Sequence, residues 1–268
     1  MQLSGKTILL TGATGGLGRA IAMALAAGGG RLILSSRKAP ELEQLAAELP
    51  GGDHRTVVSE LGSDGSGEVL VEEASADGPV DILIANAGLP GTGRIEDLSS
   101  EDIARLLNVN LESPIRATHA LLPGMLERGS GHFVYVSSLA GKTPSPRAAM
   151  YNASKFGLRG FALAFRQDLR GSGVSASLVL PGFIRDAGMF ADAEMPPPPG
   201  MGTRTPQQVG EAVVRAIERD KAEIVVAPPQ QRALAHIGHT FPRIGALAQR
   251  GRGERIAEKL ASRQSEKR

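Results

Sequence analysis

Apolar positions along the 268-residue chain alternate between two patterns. Seven short runs are rich in β-branched residues and bounded mostly by Gly, Pro or Asn: "KTILLT" (6–11), "RLILSS" (31–36), "HRTVVS" (54–59), "DILIAN" (81–86), "HFVYVSS" (132–138), "VSASLVL" (174–180) and "AEIVVA" (222–227). Several are apolar at consecutive positions, as strands covered on both faces require. Between them, segments such as 17–28, 40–49, 66–76, 99–128 and 149–170 carry Ala and Leu at helical spacing. This alternation predicts an α/β fold, a doubly wound parallel sheet of about seven strands with helices on both faces. "PPPP" at 196–199 interrupts the stretch 183–205, which is expected to form a flap. From Pro228 onward the pattern is helical, basic and strand-free. The expected division is one main domain at 1–227 and a C-terminal helical extension at 228–268.

Composition narrows the chemistry. Apolar residues make up 41% and charged residues 22% of the chain, the profile of a soluble globular protein. The absence of cysteine excludes disulfides, thiolate metal sites and a cysteine nucleophile. No run of 18 apolar residues exists to span a membrane, and "MQLSGKTILLTGATGG" lacks a signal-peptide pattern, so a cytoplasmic protein is expected. Charge is uneven: Gln231 to the end holds nine Lys/Arg and three Asp/Glu, a balance of +6 against −4 for residues 1–230. A basic tail offers weak contact to anionic lipid or an acidic partner. A solvated tail, or one packed on a neighbouring subunit, is the simpler reading. Its bases are scattered and lack interleaved aromatics, so nucleic acid is not an expected partner.

"TGATGGLG" (11–18) joins the first strand to the first helix. Gly12, Gly16 and Gly18 let the backbone turn tightly and approach a pyrophosphate, met by free N–H groups and the positive helix end. At this strand–helix junction the triplet predicts a dinucleotide site in a Rossmann-like sheet. An NAD site places Asp or Glu at the end of the second strand, for the ribose 2′-OH. Here "LILSSRK" supplies Ser36 and Arg37 and no acid, a hydroxyl and a planar fork suited to a 2′-phosphate. NADP(H) is therefore the expected cofactor, ahead of NAD(H).

In "AMYNASKFGLRGF" (149–161), Tyr151 and Lys155 stand four residues apart, on one helix face. Taken alone, the pair reads more readily as a half-buried phenol beside a solvated ammonium than as chemistry. Asn110 alone reads as a helix-kink or cap residue, and Ser137/Ser138 alone as a turn. No metal site is expected: His236 and His239 lack a nearby third ligand, and His54, His119 and His132 are dispersed.

With "TGATGGLG", "ANAG" (85–88), "NVNL" (108–111), "VSS" (136–138), "YNASK" (151–155) and "PGFI" (181–184) in this order, the chain resembles the short-chain dehydrogenase/reductase family. The resemblance runs from about Lys6 to Ala227. It implies an oxidoreductase that interconverts a carbonyl and a secondary alcohol by hydride transfer, with a catalytic set on Asn110, Ser138, Tyr151 and Lys155. Tyr151 is implied as acid/base, Lys155 as the charge that favours its phenolate and holds ribose hydroxyls, Ser138 as partner of the substrate oxygen, and Asn110 as the holder of a relay water. Cofactor contacts are implied at Gly12, Thr14, Gly15, Gly16, Leu17, Gly18, Ser36, Arg37, Glu60, Leu61, Asn86, Ala87, Gly88, Tyr151, Lys155, Pro181, Gly182 and Ile184. Asn86 is also implied to steady the central strand. Three positions depart from the pattern. Ala85 replaces a common Asn, Glu60 an Asp that contacts adenine, and Asp186 a Thr that binds the nicotinamide carboxamide. Aspartate accepts but cannot donate.

The flap's Phe183, Ile184, Met189, Phe190, Met195 and Met201 predict an apolar, adaptable lining. The expected substrate is a lipophilic carbonyl or alcohol, not a sugar or acid, touched by Ser138, Tyr151, Phe183, Met189 and Phe190. Arg147 and Lys142 in "GKTPSPR" count against that if they face the same cleft. Apolar stripes on 99–128 and 149–170, with the resemblance, predict a homodimer or homotetramer. Two other function classes stay open: a non-catalytic dinucleotide sensor or scaffold, and a methyltransferase on a similar sheet, which Arg37 and the Ser138/Tyr151/Lys155 set disfavour.

Overall fold

Consecutive Val, Ile and Leu can be buried on both faces only within a covered parallel sheet. In the computed structural model, which describes residues 1–188, 191, 193, 195, 200–249, 258, 259 and 263, each of the seven apolar runs becomes a strand, fully buried at the centre of the sheet and part-exposed at its two edges. The strands are β1 (Thr7–Thr11), β2 (Arg31–Ser36), β3 (Arg55–Val58), β4 (Ile82–Ala85), β5 (Gly131–Val136), β6 (Val174–Pro181) and β7 (Glu223–Val226). They form one sheet in the order β3-β2-β1-β4-β5-β6-β7, with every pairing parallel. The winding reverses between β1 and β4, and the carboxyl ends of β1, β4, β5 and β6 border the crevice that opens there.

The helices are α1 (Gly16–Ala27), α2 (Ala39–Glu48), α3 (Ser66–Ala74), α4 (Ser100–Leu107), α5 (Ser113–Glu127), α6 (Ala149–Asp168), α7 (Pro206–Glu218), α8 (Pro229–Thr240) and α9 (Pro242–Gln249). Strand β1 shows how they divide. Ile8 and Leu10 point into a core shared with Ile21 and Leu25 of α1 and Val209 and Val213 of α7. Leu9, between them, points into the opposite core with Phe133, Tyr135, Leu121 of α5 and Leu158 of α6. All three β1 residues are fully buried, each worth ~1.5–3 kcal/mol in transfer terms. Helices α1 and α7 approach closely because Gly210 has no side chain: a Cβ there would lie 2.6 Å from the Ala20 carbonyl oxygen.

Two expectations are revised. The segment 99–128, expected as one helix, is α4, a π-helical turn at Asn108–Glu112, and α5. The cause is Pro114, which has no N–H to give the carbonyl of Asn110 four residues earlier. The Ser113 amide instead bonds the Asn108 carbonyl five residues back. Helix α7 was not among the expected segments. Its signal was nonetheless present as a capping box, Thr205 and Gln208, around Pro206.

Candidate functional site

The glycine turn at the end of β1 depends on missing side chains. Gly12 has φ +65°, and a Cβ there would come 2.8 Å from the Ala87 Cα. A Cβ on Gly18 would overlap the Gly12 carbonyl oxygen. Gly15 caps α1 without any side-chain bond, and the first turn holds no acid. The amides at Gly16 and Leu17, beside Thr14, are thus left to an anion at the positive helix end. Asn86 fixes this turn: its Nδ2 donates to the carbonyls of Thr11 (3.0 Å) and Gly12 (3.2 Å). The Thr11 hydroxyl accepts from the amides of Asn86 and Ala87, each at 3.0 Å.

At the end of β2, Ser36 accepts from the Lys38 amide at 3.3 Å. Arg37 pairs with Glu60 across the crevice edge at 3.5 Å, both side chains half exposed. Leu61 is buried behind them, its carbonyl accepting from Ser113 Oγ at 3.0 Å. A glycine cradle, an uncapped helix end and a guanidinium at β2 fit a dinucleotide carrying phosphate.

The second half of the site comes from β5, the π-helical turn and α6. Beyond β5, Ser137 Oγ donates to the Lys155 carbonyl at 3.1 Å. Ser138 Oγ accepts from the Ala140 amide at 3.1 Å, and Ser138 lies close enough to the Tyr151 hydroxyl to pull its pKa down. Lys155 is buried, its Nζ 3.4 Å from the Val136 carbonyl and 5.8 Å from the Tyr151 ring centre. Asn110 is fully buried. Its Oδ1 accepts from the Leu89 amide (2.7 Å), and its Nδ2 donates to the Leu89 carbonyl (3.0 Å) and Ser154 Oγ (3.2 Å). Gly88 marks where these groups converge: a Cβ on it would lie 3.4 Å from both Asn110 Oδ1 and Lys155 Nζ. Asn110, Ser138, Tyr151 and Lys155 are therefore brought to one place.

The model of the family described as short chain dehydrogenase matches residues 6–196. The chain belongs to that family. A ketoacyl reductase, HetN, from Nostoc sp. is 39% identical over 227 residues, covering 84% of this chain and 79% of the relative. Dehydrogenase/reductase SDR family member 7B from Bos taurus is 33% identical over 271 residues, 92% of this chain and 82% of the relative. Among solved structures, a 3-oxoacyl (acyl-carrier-protein) reductase from Agrobacterium tumefaciens with NADP bound superposes with a TM-score of 0.74 at 29% identity, covering 84% and 93% of the two chains. A member from Burkholderia phymatum in complex with NAD gives 0.78 at 25% identity, covering 91% and 96%. This short-chain dehydrogenase is thus an oxidoreductase of a family that binds nicotinamide dinucleotides, and among its described residues no helix is long and apolar enough to cross a membrane.

The electrostatics of the dehydrogenase site follow from burial. Burial pulls the Lys155 ammonium down to about 8. The Tyr151 phenol is raised by burial, and Ser138 only partly opposes this. Lys155 is expected to favour the phenolate; its Nζ is 5.8 Å from the ring centre, and burial is the larger influence on the phenol.

Three polar residues that sequence reasoning passed over hold the site together. Asn152 donates to the carbonyls of Ala140 (2.6 Å) and Thr143 (3.1 Å) and accepts from the Ser145 amide (3.1 Å), pinning the loop after β5. Ser154 donates to the Tyr151 carbonyl at 2.8 Å while accepting from Asn110. Both were visible as polar residues on an otherwise apolar helix. Gln231 of α8 clamps the flap: it accepts from the Phe183 amide (3.0 Å) and donates to the carbonyls of Met201 (3.1 Å) and Gly202 (2.8 Å). Gly182 makes room, since a Cβ on it would overlap the Gln231 carbonyl oxygen.

The flap itself departs from expectation in places. Pro181 and Ile184 are buried, Ile184 within the core shared with Ala187, so its side chain does not line an open cleft. Ala187 lies against Gly16, closing the flap onto the glycine turn. Phe183 and Met201 are half-buried; Met189 and Phe190 lie outside the described residues. Asp186 is exposed, with φ +63°. Lys142 does not face the cleft as a free cation: its Nζ is 2.7 Å from Glu223, whose other oxygen is 2.7 Å from Arg159. Among the described residues no group of three potential metal ligands forms.

Proposed function

We propose that this short-chain dehydrogenase interconverts a lipophilic carbonyl compound and its secondary alcohol, with Tyr151 exchanging the proton and NADP(H) as cofactor. The observation that carries this reading is the buried Lys155 ammonium beside the Tyr151 ring, converging with Asn110 on Gly88. When bound, the dinucleotide supplies or accepts the hydride. The remaining work falls to side chains. Ser138 orients the substrate oxygen and stabilises charge that develops on it. Tyr151, held protonated by burial, is poised to give its proton to that oxygen in reduction and to take it back in oxidation. Lys155 stabilises the phenolate left behind. Asn110 has its side chain fully engaged, and its main-chain carbonyl, freed by Pro114, is the group available to a relay water.

NADP(H) is favoured over NAD(H) by Ser36, Arg37 and the missing acid at the end of β2. Glu60 competes for Arg37, but a half-exposed ion pair is worth at most ~1 kcal/mol, less than a bidentate bond to a dianionic phosphate. We also propose association into a dimer or tetramer through α5 and α6, where Leu126 and Phe156 are exposed, a division into a main domain 1–227 and an extension 228–268, and a cytoplasmic location. The test is a thermal-shift comparison followed by a carbonyl panel read at the nicotinamide absorbance. NADPH is expected to raise Tm more than NADH. Tyr151→Phe is expected to keep that shift while losing at least ~100-fold in kcat/KM. A Tyr151→Phe variant as active as the wild type would end the proposal.

A further inference from the structure

The mouth of the crevice carries a charge arrangement that the proton chemistry does not use. Two loops meet beside Tyr151. One contains Gly91, where a Cβ would lie 3.0 Å from the Tyr151 amide nitrogen. The other runs from Lys142 to Ala148, directly before α6. They are joined by a bridge between Gly93 and Ala148 and by the Gly93 amide donating to the Arg147 carbonyl at 2.7 Å. This places Arg147 one helical turn before Tyr151. Its φ is +52°, a left-handed conformation that costs a non-glycine residue about 1 kcal/mol and recurs at functional sites.

The partner of Arg147 is far away in sequence. Glu258, 111 residues on, places Oε1 3.1 Å from the guanidinium. Arg263, five residues further on, donates to the Ala193 carbonyl at 2.8 Å. The nearby Arg94 is paired with Glu96 at 3.0 Å. Glu96 also feels the charge of Arg147, so it neighbours the site, but Glu258 is the carboxylate that pairs with Arg147 directly, and its withdrawal leaves the guanidinium without that ion pair. Arg147 is 23% and Glu258 62% exposed, so their pair is worth at most ~1 kcal/mol and yields readily to a competing anion.

We infer that Arg147 is an anion-recognition residue at the crevice mouth, binding a carboxylate or phosphate at the far end of a lipophilic carbonyl substrate, with Glu258 occupying it until that substrate arrives. The site deepens the proposed carbonyl reduction and rests on it. It also revises the expectation that the substrate is not an acid: the apolar part meets the flap, and the charged end meets Arg147.

The test compares kcat/KM for methyl-ketone acids of increasing chain length with that for their methyl esters, and for acetoacetyl-phosphopantetheine with acetoacetyl-pantetheine. The charged member of a pair is expected to be preferred, the first set reporting a carboxylate and the second a phosphate. Arg147→Gln is expected to lower the charged-to-neutral ratio about tenfold, the loss of one charge-assisted contact. Arg147→Lys is expected to keep part of it. Glu258→Gln, on an exposed side chain, is expected to lower KM for the charged substrates a few-fold. An unchanged ratio in Arg147→Gln, or an unchanged KM in Glu258→Gln, overturns the inference. If no ketone is turned over although NADPH binds, the carbonyl reading fails instead. Calorimetric titration of the preferred-length keto acid into the NADPH-bound wild type and Arg147→Gln then still decides whether Arg147 binds the anion: equal affinity refutes it.

Discussion

Strand β5 has a polar cluster at each end, and the two are wired differently. At the amino end His132 bonds Ser177 Oγ at 2.8 Å. Nearby, Arg166 meets both oxygens of Asp220 (2.7 and 2.8 Å), while Ser175 Oγ accepts from Arg166 (2.7 Å) and donates to Asp220 Oδ1 (2.6 Å). At the carboxyl end the buried Lys155 ammonium has a single carbonyl at 3.4 Å and, among the described residues, no ion-pair partner. Buried polar groups that are satisfied rigidify a core; those left short of partners cost stability and are kept for what they do. One end of the strand is built to be stable and the other to be reactive.

The sharpest way to break this comparison is to remove the unsatisfied charge. Lys155→Met is expected to lower kcat/KM about 1,000-fold. It is also expected to raise stability by about 1–2 kcal/mol, because the penalty of burying an ammonium disappears. The pH dependence checks the cause. The folded-state value near 8 lies below the ordinary 10.5. Between them the unfolded chain holds a proton that the folded one has released, so wild-type stability climbs across that window. In Lys155→Met that climb is expected to vanish. Chemical denaturation at pH 7.5 and 10 measures both, and a destabilised Lys155→Met would show that the ammonium is structural.

The amino end responds to acid. Burial pulls His132 from 6.5 to about 4. Below pH 6.5 the unfolded chain takes up a proton that the folded chain refuses, so stability falls with pH down to about 4. Between pH 7 and 5 the loss is expected to be about 2 kcal/mol. His132→Gln is expected to be less stable at pH 7 yet flatter across this range. Asp220 does not confuse the reading. Arg166 holds it down to about 2, so its contribution fades only below 3.8.

The same contrast explains what the sequence could reveal. Strand positions were legible because burial on both faces of a parallel sheet forces unbroken apolar runs such as Ile8–Leu10 and Ile82–Ala85. The glycine turn was legible because Gly12 needs a left-handed φ and Gly18 must clear the Gly12 carbonyl, both reasons local to the turn. What stayed hidden depends on tertiary partners. Nothing in "GKTPSPR" separates Lys142, which the fold sends to Glu223 and Arg159, from Arg147, which it sends to Glu258. Gln231 looked like an ordinary polar residue at the start of a helix; its three bonds all go to the flap. The π-helical turn was encoded in Pro114 but needed the carbonyl of Asn110 to give it meaning. The influence of Lys155 on the phenol was argued from a nearby charge in a partly dry site; how far burial raises the phenol against it depends on the tertiary packing.

A smaller perturbation probes how much of the amino-end stability is redundant. Ser175 bridges Arg166 and Asp220, but those two also bond each other directly, and Arg166 reaches the Ala176 and Asp220 carbonyls. Removing one hydroxyl from such a network leaves every charged group with a partner. Ser175→Ala is therefore expected to cost only about 1 kcal/mol, with kcat/KM unchanged. The measurement is a denaturant midpoint alongside turnover of one ketone. A loss above ~3 kcal/mol would mean that the cluster is cooperative, with the hydroxyl as its keystone. A fall in turnover at unchanged stability would mean that the two ends of β5 are coupled through the strand. That result would undo the division between them.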